Sequence, residues 1–354
     1  MKLFHYIILP VNIIVAVLFI FSSVAQFLPS AYYWQLSFLT TFFPVFFILN
    51  MLFLTYWIFF ASKYILISSI ALLIAFPNYK RLFSPFEREA IAPDDCQTIQ
   101  LFSYNTMTLD YYKKASKNNA LKFLKSIDAD VMCLQEIGWK NSGEYLKKND
   151  ITNALKAYPH NKFFITQASS YGTYGIATFS KHPIVNYQRI DFGNSFNSAM
   201  VTDLKIGGDT IRLINCHLES NGLTMRDREM LNDSTTNRRI ITNTLKKLRI
   251  ASRIRSEQAD TIASIIKSSP YPTVVCGDFN DTAFSYTYHV ISNTLNDTFT
   301  GSGCGAGFTF FDHLFRFRID YILTDKRWGY HHFRIWKEDF SDHKPISCEL
   351  IIKE

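Results

Sequence analysis

The chain has 354 residues and a formal net charge of +7, and 48% of its residues are hydrophobic. This length accommodates one large domain with an appendage, or two modest domains. The six cysteines show neither C-x-x-C nor Cys/His spacing, which argues against a structural zinc site.

The N-terminal part of the chain is almost uncharged. Up to Pro77 it contains two lysines, Lys2 and Lys63, and neither Arg, Asp nor Glu. Apolar stretches cover residues 6–28, 34–60 and 64–76, and ~20 apolar residues suffice to cross the hydrocarbon core of a bilayer. The pattern predicts an integral membrane protein of the cell membrane, with a transmembrane anchor over residues 1–78. We expect three helices, or two if the short third stretch does not span.

The charges that flank these stretches give little indication of orientation. In an arrangement with three spans, Lys2 and Lys63 share one side of the membrane, while Lys80, Arg81 and Arg88 share the other side. The positive-inside comparison is therefore nearly balanced. We place the rest of the chain outside the cytoplasm by a narrow margin.

After a linker over residues 79–96, the remainder, residues 97–354, alternates between strand-like and helix-like segments. One helix is predicted over residues 118–127, and Gly207-Gly208-Asp209 predicts a hairpin turn. Short apolar runs predict strands at 99–104, 131–134, 175–179, 199–204, 210–215, 273–276, 319–323 and 346–351. Hairpins mixed with helices indicate α/β layers with substantial antiparallel pairing.

Residues 226–255 form a basic stretch. It contains nine Arg or Lys residues against three Asp or Glu residues. Such a run is often only a solvated helix face. The functional alternative is a basic surface that attracts phosphate groups of nucleic acid or lipid. We assign substrate binding to four of its residues: Arg238, Arg239, Lys246 and Lys247.

Six short polar clusters occupy the ends of predicted strands. They are Ser103-Tyr104-Asn105, Gln135-Glu136, Asn215-Cys216-His217, residues 277–281 (Gly-Asp-Phe-Asn-Asp), Arg318-Ile319-Asp320-Tyr321 and Ser341-Asp342-His343. Each polar residue has a structural alternative when taken alone; Asn105 could cap a turn, and His217 could be a hydrogen-bonded core histidine. Together they supply carboxylates, imidazoles and amides, which hydrolysis of a phosphate ester requires. Oxygen donors favour Mg²⁺ or Mn²⁺ as the cofactor.

These clusters, in this order, resemble the endonuclease/exonuclease/phosphatase superfamily. The group includes pancreatic-type deoxyribonucleases, abasic-site endonucleases, inositol-polyphosphate phosphatases and neutral sphingomyelinases. The resemblance covers about residues 97–353 and implies a four-layer α/β/β/α sandwich, preceded here by the N-terminal transmembrane helices. It also implies metal-assisted hydrolysis of a phosphodiester by in-line attack of water.

The resemblance implies a role for each matched residue. Glu136 and Asn105 would hold the metal ion, and Asp342 would lie at the same or a second metal position. Asp278 and His343 would jointly activate water, and Asp320 would orient His343. Asn280 would hold a phosphate oxygen, and His217 would contact the phosphate or assist the leaving group. Some members carry an acidic residue two positions after the Asn, where this chain has Met107.

The substrate is left open between two phosphate esters. One alternative is a phospholipid head group, which the anchor favours because it holds the protein at a lipid bilayer. The other is nucleic acid, which would make the chain a membrane-anchored endonuclease and would use the basic stretch. A catalytically inactive phosphate-binding module is a third alternative, against which the complete set of clusters argues. The sequence indicates no protein partner.

Overall fold

The computed structural model describes residues 2–60, 62–86, 96–193, 195, 197–222, 238–312 and 316–352. The chain divides into two compact units. Unit 1 comprises Met1–Phe83, Asn221–Asp260 and Asp281–Val290, and unit 2 comprises Ser84–Ser220, Thr261–Asn280 and Ile291–Glu354. The predicted boundaries at residues 78 and 96 stay predictions.

Unit 1 contains the apolar N-terminal helices. Two helical segments, His5–Phe27 and Ile65–Leu82, are long and apolar enough to cross a membrane. The pair Trp34–Thr40 and Phe43–Phe59 is bent by 62° and would make a third span if it crosses as one. In chain order the helices are α1 (Lys2–Val24), α2 (Trp34–Thr40), α3 (Phe43–Phe59), α4 (Ile65–Ala75) and α5 (Tyr79–Leu82).

The helices of unit 1 pack around a small aromatic and aliphatic core. Phe19, Phe43 and Leu72 are buried there together with Phe284. The ring of Phe43 stacks on that of Phe284 with centroids 4.1 Å apart. Arg81 lies over the ring of Tyr288 at 5.0 Å. The segment after residue 280 is therefore part of the same core as the N-terminal helices.

Buried polar contacts also join the helices of unit 1. The amide of Asn12 on α1 donates to Ser68 on α4 at 2.8 Å and accepts from the indole of Trp57 on α3 at 2.9 Å. Polar pairs of this kind hold helices together where the surroundings are apolar.

Arg255 forms a buried ion pair with Asp281, at 3.1 Å. Arg255 lies on α8 (Arg238–Lys267), a 30-residue helix.

Unit 2 contains two six-stranded mixed sheets. The strands of the first sheet run in the order β13-β14-β1-β2-β4-β3, and those of the second in the order β5-β6-β7-β8-β12-β9. The bounds are β1 (Gln97–Asn105), β2 (Val131–Trp139), β3 (His160–Ala168), β4 (Thr173–Ser180), β5 (Ile184–Asp191), β6 (Ser198–Ile206), β7 (Asp209–His217), β8 (Thr273–Asp278), β9 (Leu295–Asp297), β10 (Phe310–Phe311), β11 (Arg316–Phe317), β12 (Asp320–Asp325), β13 (Gly329–Ile335) and β14 (Ile346–Ile352).

The other helices among the described residues are short. They are α6 (Asn119–Ser126), α7 (Lys148–Ala154), α9 (Tyr286–Ser292) and α10 (Thr298–Ser302). The Asn118 side chain begins α6 by accepting from the backbone N–H of Leu121 at 2.9 Å, as an N-cap does. The predicted helix over residues 118–127 is confirmed. The predicted hairpin is also confirmed, because Ile206 pairs with Asp209 across the turn.

One core lies between the two sheets and a second lies on the helix side of the first sheet. The first core combines Leu101, Cys133 and Ile346 with Leu213 and Cys276 of the second sheet. The second core packs residues of β1, β2 and β4 against α6 and α7. Both sheets are therefore packed as layers of an α/β sandwich, in agreement with the predicted fold class.

Candidate active site

The predicted site residues come from the ends of adjacent strands. Asn105 ends β1, His217 ends β7 and Asp278 ends β8. Asp278 pairs in register with His217 on one side and with Asp320, the first residue of β12, on the other. Glu136 lies at a bulge in β2, with φ of 49°. Parallel pairing of β1 with β2 and of β7 with β8 brings these strand ends together.

The carboxylate of Asp278 is the centre of the cluster and is 1% exposed. Its Oδ2 atom accepts from the amide of Asn105 at 3.0 Å, and the same amide lies 3.2 Å from Oε1 of Glu136. The Nε2 atom of His217 lies 3.4 Å from Glu136 Oε1 and 3.7 Å from Asp278 Oδ2. Two carboxylates from different sheets thus face one amide and one imidazole.

A second imidazole faces Asp278 from the opposite side. The Nδ1 atom of His343 lies 2.9 Å from Oδ2 of Asp320, and its Nε2 atom lies 3.6 Å from Oδ2 of Asp278. The hydroxyl of Thr309 accepts from the backbone N–H of Asp320 at 3.1 Å and helps to fix that residue. The ring of Phe310 packs on His343 with centroids 5.0 Å apart. His343 is therefore held between two carboxylates in one orientation.

The surroundings shift the pKa values of both groups. Burial raises the pKa of Asp278 to about 6, although His343 and His217 act in the opposite direction. Burial lowers the pKa of His343, but the carboxylates of Asp320 and Asp278 outweigh burial and raise it to about 10. At neutral pH the pair therefore consists of an imidazolium and a carboxylate.

Asn280 joins the cluster and Asp342 stands beside it. The backbone N–H of Asn280 donates to Asp278 Oδ1 at 2.8 Å, and its amide donates to the backbone oxygen of Leu218 at 3.0 Å. Asp342 is half-buried and its carboxylate accepts from the hydroxyl of Ser341 at 3.3 Å. Its negative charge helps to raise the pKa of His343.

The four predicted substrate-binding residues lie on α8 in unit 1. Arg238, Arg239 and Lys246 are exposed, and Lys247 is half-buried. Their assignment to substrate stays a prediction.

A turn of unusual conformation follows Asn105. Met107, Thr108, Leu109 and Asp110 have φ values of 43°, 65°, 54° and 46°, in the left-handed region that residues other than glycine seldom adopt. The backbone N–H of Met107 donates to the side-chain oxygen of Asn105 at 3.2 Å. A Cβ at Gly138 would lie 3.0 Å from the backbone oxygen of Thr108, a contact tight enough that a larger residue would push the turn slightly away from β2. The turn thus fixes the orientation of Asn105.

A buried amide pair beneath the site was not assigned a role from the sequence. Nε2 of Gln135 on β2 donates to Oδ1 of Asn215 on β7 at 2.7 Å, and both side chains are fully buried. The amide of Asn215 also donates to the backbone oxygen of Ala177 on β4 at 2.9 Å. These bonds tie the two sheets together one residue from Glu136 and two from His217. Their position in the polar clusters was the only sequence signal.

The donor set is compatible with a metal ion. The amide of Asn105 lies 3.2 Å from a carboxylate oxygen of Glu136 and 3.0 Å from one of Asp278, so oxygen donors of three residues are gathered at one point. Nε2 of His217 is buried without a hydrogen-bond partner and faces the Glu136 and Asp278 carboxylates. A bound cation would offset the repulsion between these carboxylates, whose charges burial makes costly. The residues present therefore fit a hard divalent cation.

Comparison with known proteins agrees with this geometry. Residues 103–343 match the Endonuclease/Exonuclease/phosphatase family, and residues 5–82 match a domain of unknown function, DUF8431. No curated protein matches the chain.

Several solved structures are similar in fold. A humanized D. rerio TDP2 with 14 mutations aligns with a TM-score of 0.50 and 17% identity, over 72% of this chain and 98% of that one. Truncated Caenorhabditis elegans TDP2 gives the same values. Sphingomyelinase C from Streptomyces griseocarneus aligns with a TM-score of 0.47 and 16% identity, over 72% and 99%. The family match spans more than half of the chain, and the two-sheet sandwich carries the expected polar clusters at its strand ends. The chain belongs to the endonuclease/exonuclease/phosphatase family.

Proposed function

We propose that the chain is a membrane-anchored phosphodiester hydrolase that requires Mg²⁺ or Mn²⁺. One observation carries the proposal: Asp278 lies 3.0 Å from Asn105, 3.6 Å from His343 and 3.7 Å from His217, at the meeting point of four strand ends. Hydrolytic phosphoesterases of this family typically use divalent metals. A module that only binds phosphate does not require two buried imidazoles around one buried carboxylate.

Glu136, Asn105 and Asp342 are the proposed ligands of the metal ion. Glu136 is the most accessible carboxylate of the central cluster, with 32% of its side chain exposed, and it lies at the bulge of β2. Asn105 is oriented by the left-handed turn. When bound, the cation supplies charge that stabilises the negative phosphoryl oxygens.

Asp278 and His343 have different roles in the proposed reaction: one accepts a proton and the other donates a hydrogen bond. Asp278, with a pKa of about 6, is mostly ionised at neutral pH and can accept the proton of an attacking water. His343, with a pKa of about 10, is protonated and can donate a hydrogen bond to a phosphoryl oxygen. We assign Asn280 to a second phosphoryl oxygen, to which its amide would donate in place of the backbone oxygen of Leu218, and His217 to the leaving group.

Replacement of Asp320 by asparagine tests this division. Asp320 contributes the largest of the effects that raise the pKa of His343, so Asp320→Asn is expected to lower that pKa. A base with a raised pKa carries its proton up to that pKa and loses it above. In the wild type, hydrolysis of a small phosphodiester should therefore decline as the pH rises through about 10. In Asp320→Asn the decline should begin nearer neutral pH.

The pH profile of kcat/KM measures this effect. Asp325→Asn is the matched control, since Asp325 lies on the same strand and pairs with the exposed Arg327. An unchanged alkaline limb in Asp320→Asn would assign the decline to another group.

Phospholipid head groups are the proposed substrate class. The N-terminal helices carry large apolar side chains on their outer faces, for example Leu52 at 61% and Leu73 at 74% exposure, as lipid-facing helices do. An anchor of this kind keeps the site beside a membrane substrate. Nucleic acid is the second candidate, because α8 exposes Arg238, Arg239 and Lys246.

A direct comparison of substrates tests the proposal. Purified full-length protein with Mg²⁺ is offered plasmid DNA and, separately, vesicles of phosphatidylcholine and sphingomyelin. Release of the lipid head group without DNA cleavage is the expected result. DNA cleavage alone would establish the endonuclease instead. Hydrolysis of neither these substrates nor a small phosphodiester would contradict the proposed activity. The Asp278→Asn variant controls for contaminating enzymes.

The basic residues of α8 are expected to affect substrate capture. Changing Arg238, Arg239, Lys246 and Lys247 to Gln should raise the apparent KM for anionic vesicles or DNA and flatten the salt dependence. Turnover of a small soluble phosphodiester should be nearly unchanged, because a surface charge contributes little at the reacting phosphorus.

Steady-state kinetics at several salt concentrations measure both effects. A matched variant neutralises four exposed lysines of unit 2, Lys117, Lys122, Lys125 and Lys156, and should change neither parameter. Equal losses on large and small substrates would mean that α8 shapes the site itself, and no loss on either would leave α8 as a solvated helix.

A further inference from the structure

A histidine-rich cluster lies at the edge of the first sheet, on two strands that supply none of the candidate active-site residues. His331 and His332 are consecutive on β13, and Glu349 on β14 pairs in register with His331. Consecutive side chains normally point to opposite faces of a strand. Here the register shifts after His331, and His332 has φ of 52°. The bulge therefore brings the two imidazole rings next to each other.

The donor atoms of the cluster are close together. The Nδ1 atoms of His331 and His332 lie 2.9 Å apart, and Nδ1 of His332 lies 3.3 Å from Oε2 of Glu349. The other nitrogen of His331, Nε2, lies 3.8 Å from the same Glu349 oxygen. Ligand atoms around a tetrahedral zinc ion, with Zn–N of about 2.0–2.1 Å, are separated by about 3.3 Å. With one atom taken from each residue, the ligand atoms of His331, His332 and Glu349 all lie within 4.8 Å of one another, so small side-chain shifts would place them around one ion.

Burial and access also favour a bound ion. His331 is 7% exposed, and its Nε2 atom is buried without a hydrogen-bond partner, which is costly for a polar atom. His332, by contrast, is exposed, with 57% of its side chain accessible. It lines a pocket of about 380 Å³ together with Cys304, Phe333, Arg334 and Ile335. The pocket therefore gives access to His332, one of the three residues of the cluster.

We propose that His331, His332 and Glu349 bind a divalent transition-metal ion, with Zn²⁺ as the best fit. Two imidazoles and one carboxylate match the donors that Zn²⁺ uses with an open coordination position. Mg²⁺ prefers an all-oxygen set, so it would compete poorly here. The ion would join the edge strand β13 to β14. Binding of the ion would also offset the free-energy cost of the left-handed backbone conformation of His332.

Zinc titration of the intact protein tests the site. Untagged full-length protein in detergent is stripped of metal, placed in excess Mg²⁺ to fill oxygen-ligand sites, and titrated with Zn²⁺ against a chromophoric zinc indicator. One tight equivalent is expected in the wild type. His332→Asn and Glu349→Gln should each weaken that binding at least about tenfold, because even residues that merely orient a ligand change affinity by ~10–100-fold. Zn²⁺ should raise the melting temperature of the wild type but not of His332→Asn.

Two controls separate this site from others. His160→Asn, a change at a half-buried histidine of β3, should keep the zinc equivalent. His343→Asn should also keep it, because His343 belongs to the other cluster. Asparagine tolerates the left-handed conformation at position 332, so the metal-free melting temperature of His332→Asn should not fall. Tight zinc binding that survives both His332→Asn and Glu349→Gln, or that is lost in His343→Asn, would overturn the proposal, as would the absence of tight binding in the wild type.

Discussion

The Asp278→Asn variant is expected to hydrolyse every substrate of this protein with a turnover number lowered by a factor of about 100–10,000. The substitution keeps the size of the side chain but removes its charge and its ability to accept a proton. It also replaces an acceptor by an amide opposite the Asn105 amide, which now donates to Oδ2 at 3.0 Å. The loss should appear on a small phosphodiester as well as on vesicles or DNA, because the role proposed for Asp278 is at the phosphorus and does not depend on the rest of the substrate.

Single-turnover and steady-state kinetics would measure this loss. Asp209→Asn, at the exposed hairpin of the second sheet, is the matched control and should leave kcat unchanged. Melting temperatures of both variants show whether the fold is retained. A folded Asp278→Asn protein with a near-normal kcat would rule out Asp278 as the proton acceptor and would shift that role to His343.

Removal of the divalent metal is expected to abolish activity, and Mg²⁺ or Mn²⁺ should restore it. Glu136→Gln should raise the Mg²⁺ concentration for half-maximal activity by at least about 10–100-fold, since residues that only orient a metal ligand already have effects of that size. The change removes a charge from the most accessible carboxylate of the cluster while keeping its shape. The measurement is a Mg²⁺ titration of the rate after treatment with a chelator.

Glu144→Gln provides the control for this titration. Glu144 is exposed and pairs with Lys114, so its loss should not alter the Mg²⁺ requirement. Activity that persists in chelator, or that Zn²⁺ alone restores, would contradict the oxygen-ligand assignment. An unchanged Mg²⁺ requirement in Glu136→Gln would remove Glu136 from the ligand set.

Central strands could be predicted from the sequence, whereas edge strands could not. Every predicted strand overlaps an observed one, among them β1, β7 and β8, whose residues are mostly buried. The long strands that the apolar runs did not predict are β3, β5 and β13, which all lie at sheet edges. Edge strands expose more of their residues, as β5 does, so polar side chains such as Asn186 and Arg189 interrupt the apolar run.

Part of the candidate site followed from local pattern and part depended on tertiary structure. Polar residues at the ends of apolar runs indicated Asn105, His217 and Asp278, because strand ends of adjacent strands meet at one edge. The Gln135–Asn215 contact joins residues 80 positions apart in two different sheets, and no local periodicity encodes such a pair. The left-handed turn after Asn105 could not be predicted either, since residues 107–110 contain no glycine, the residue that usually indicates such a conformation.

The pairing of the first strand of unit 2 with the last has a consequence for synthesis of the protein. Gln97 on β1 pairs with Ile352 on β14, and Ser103 pairs with Ile346. The hydrogen bonds on this side of β1 can therefore form only after β14 has been synthesised. His343 also lies just before β14. We propose that the N-terminal helices enter a membrane, and they can do so while the residues of unit 2 are still being synthesised. Contacts of such long sequence separation form late. The sheet that carries Asn105 and Glu136 is therefore completed only after the segment around His343 has been synthesised.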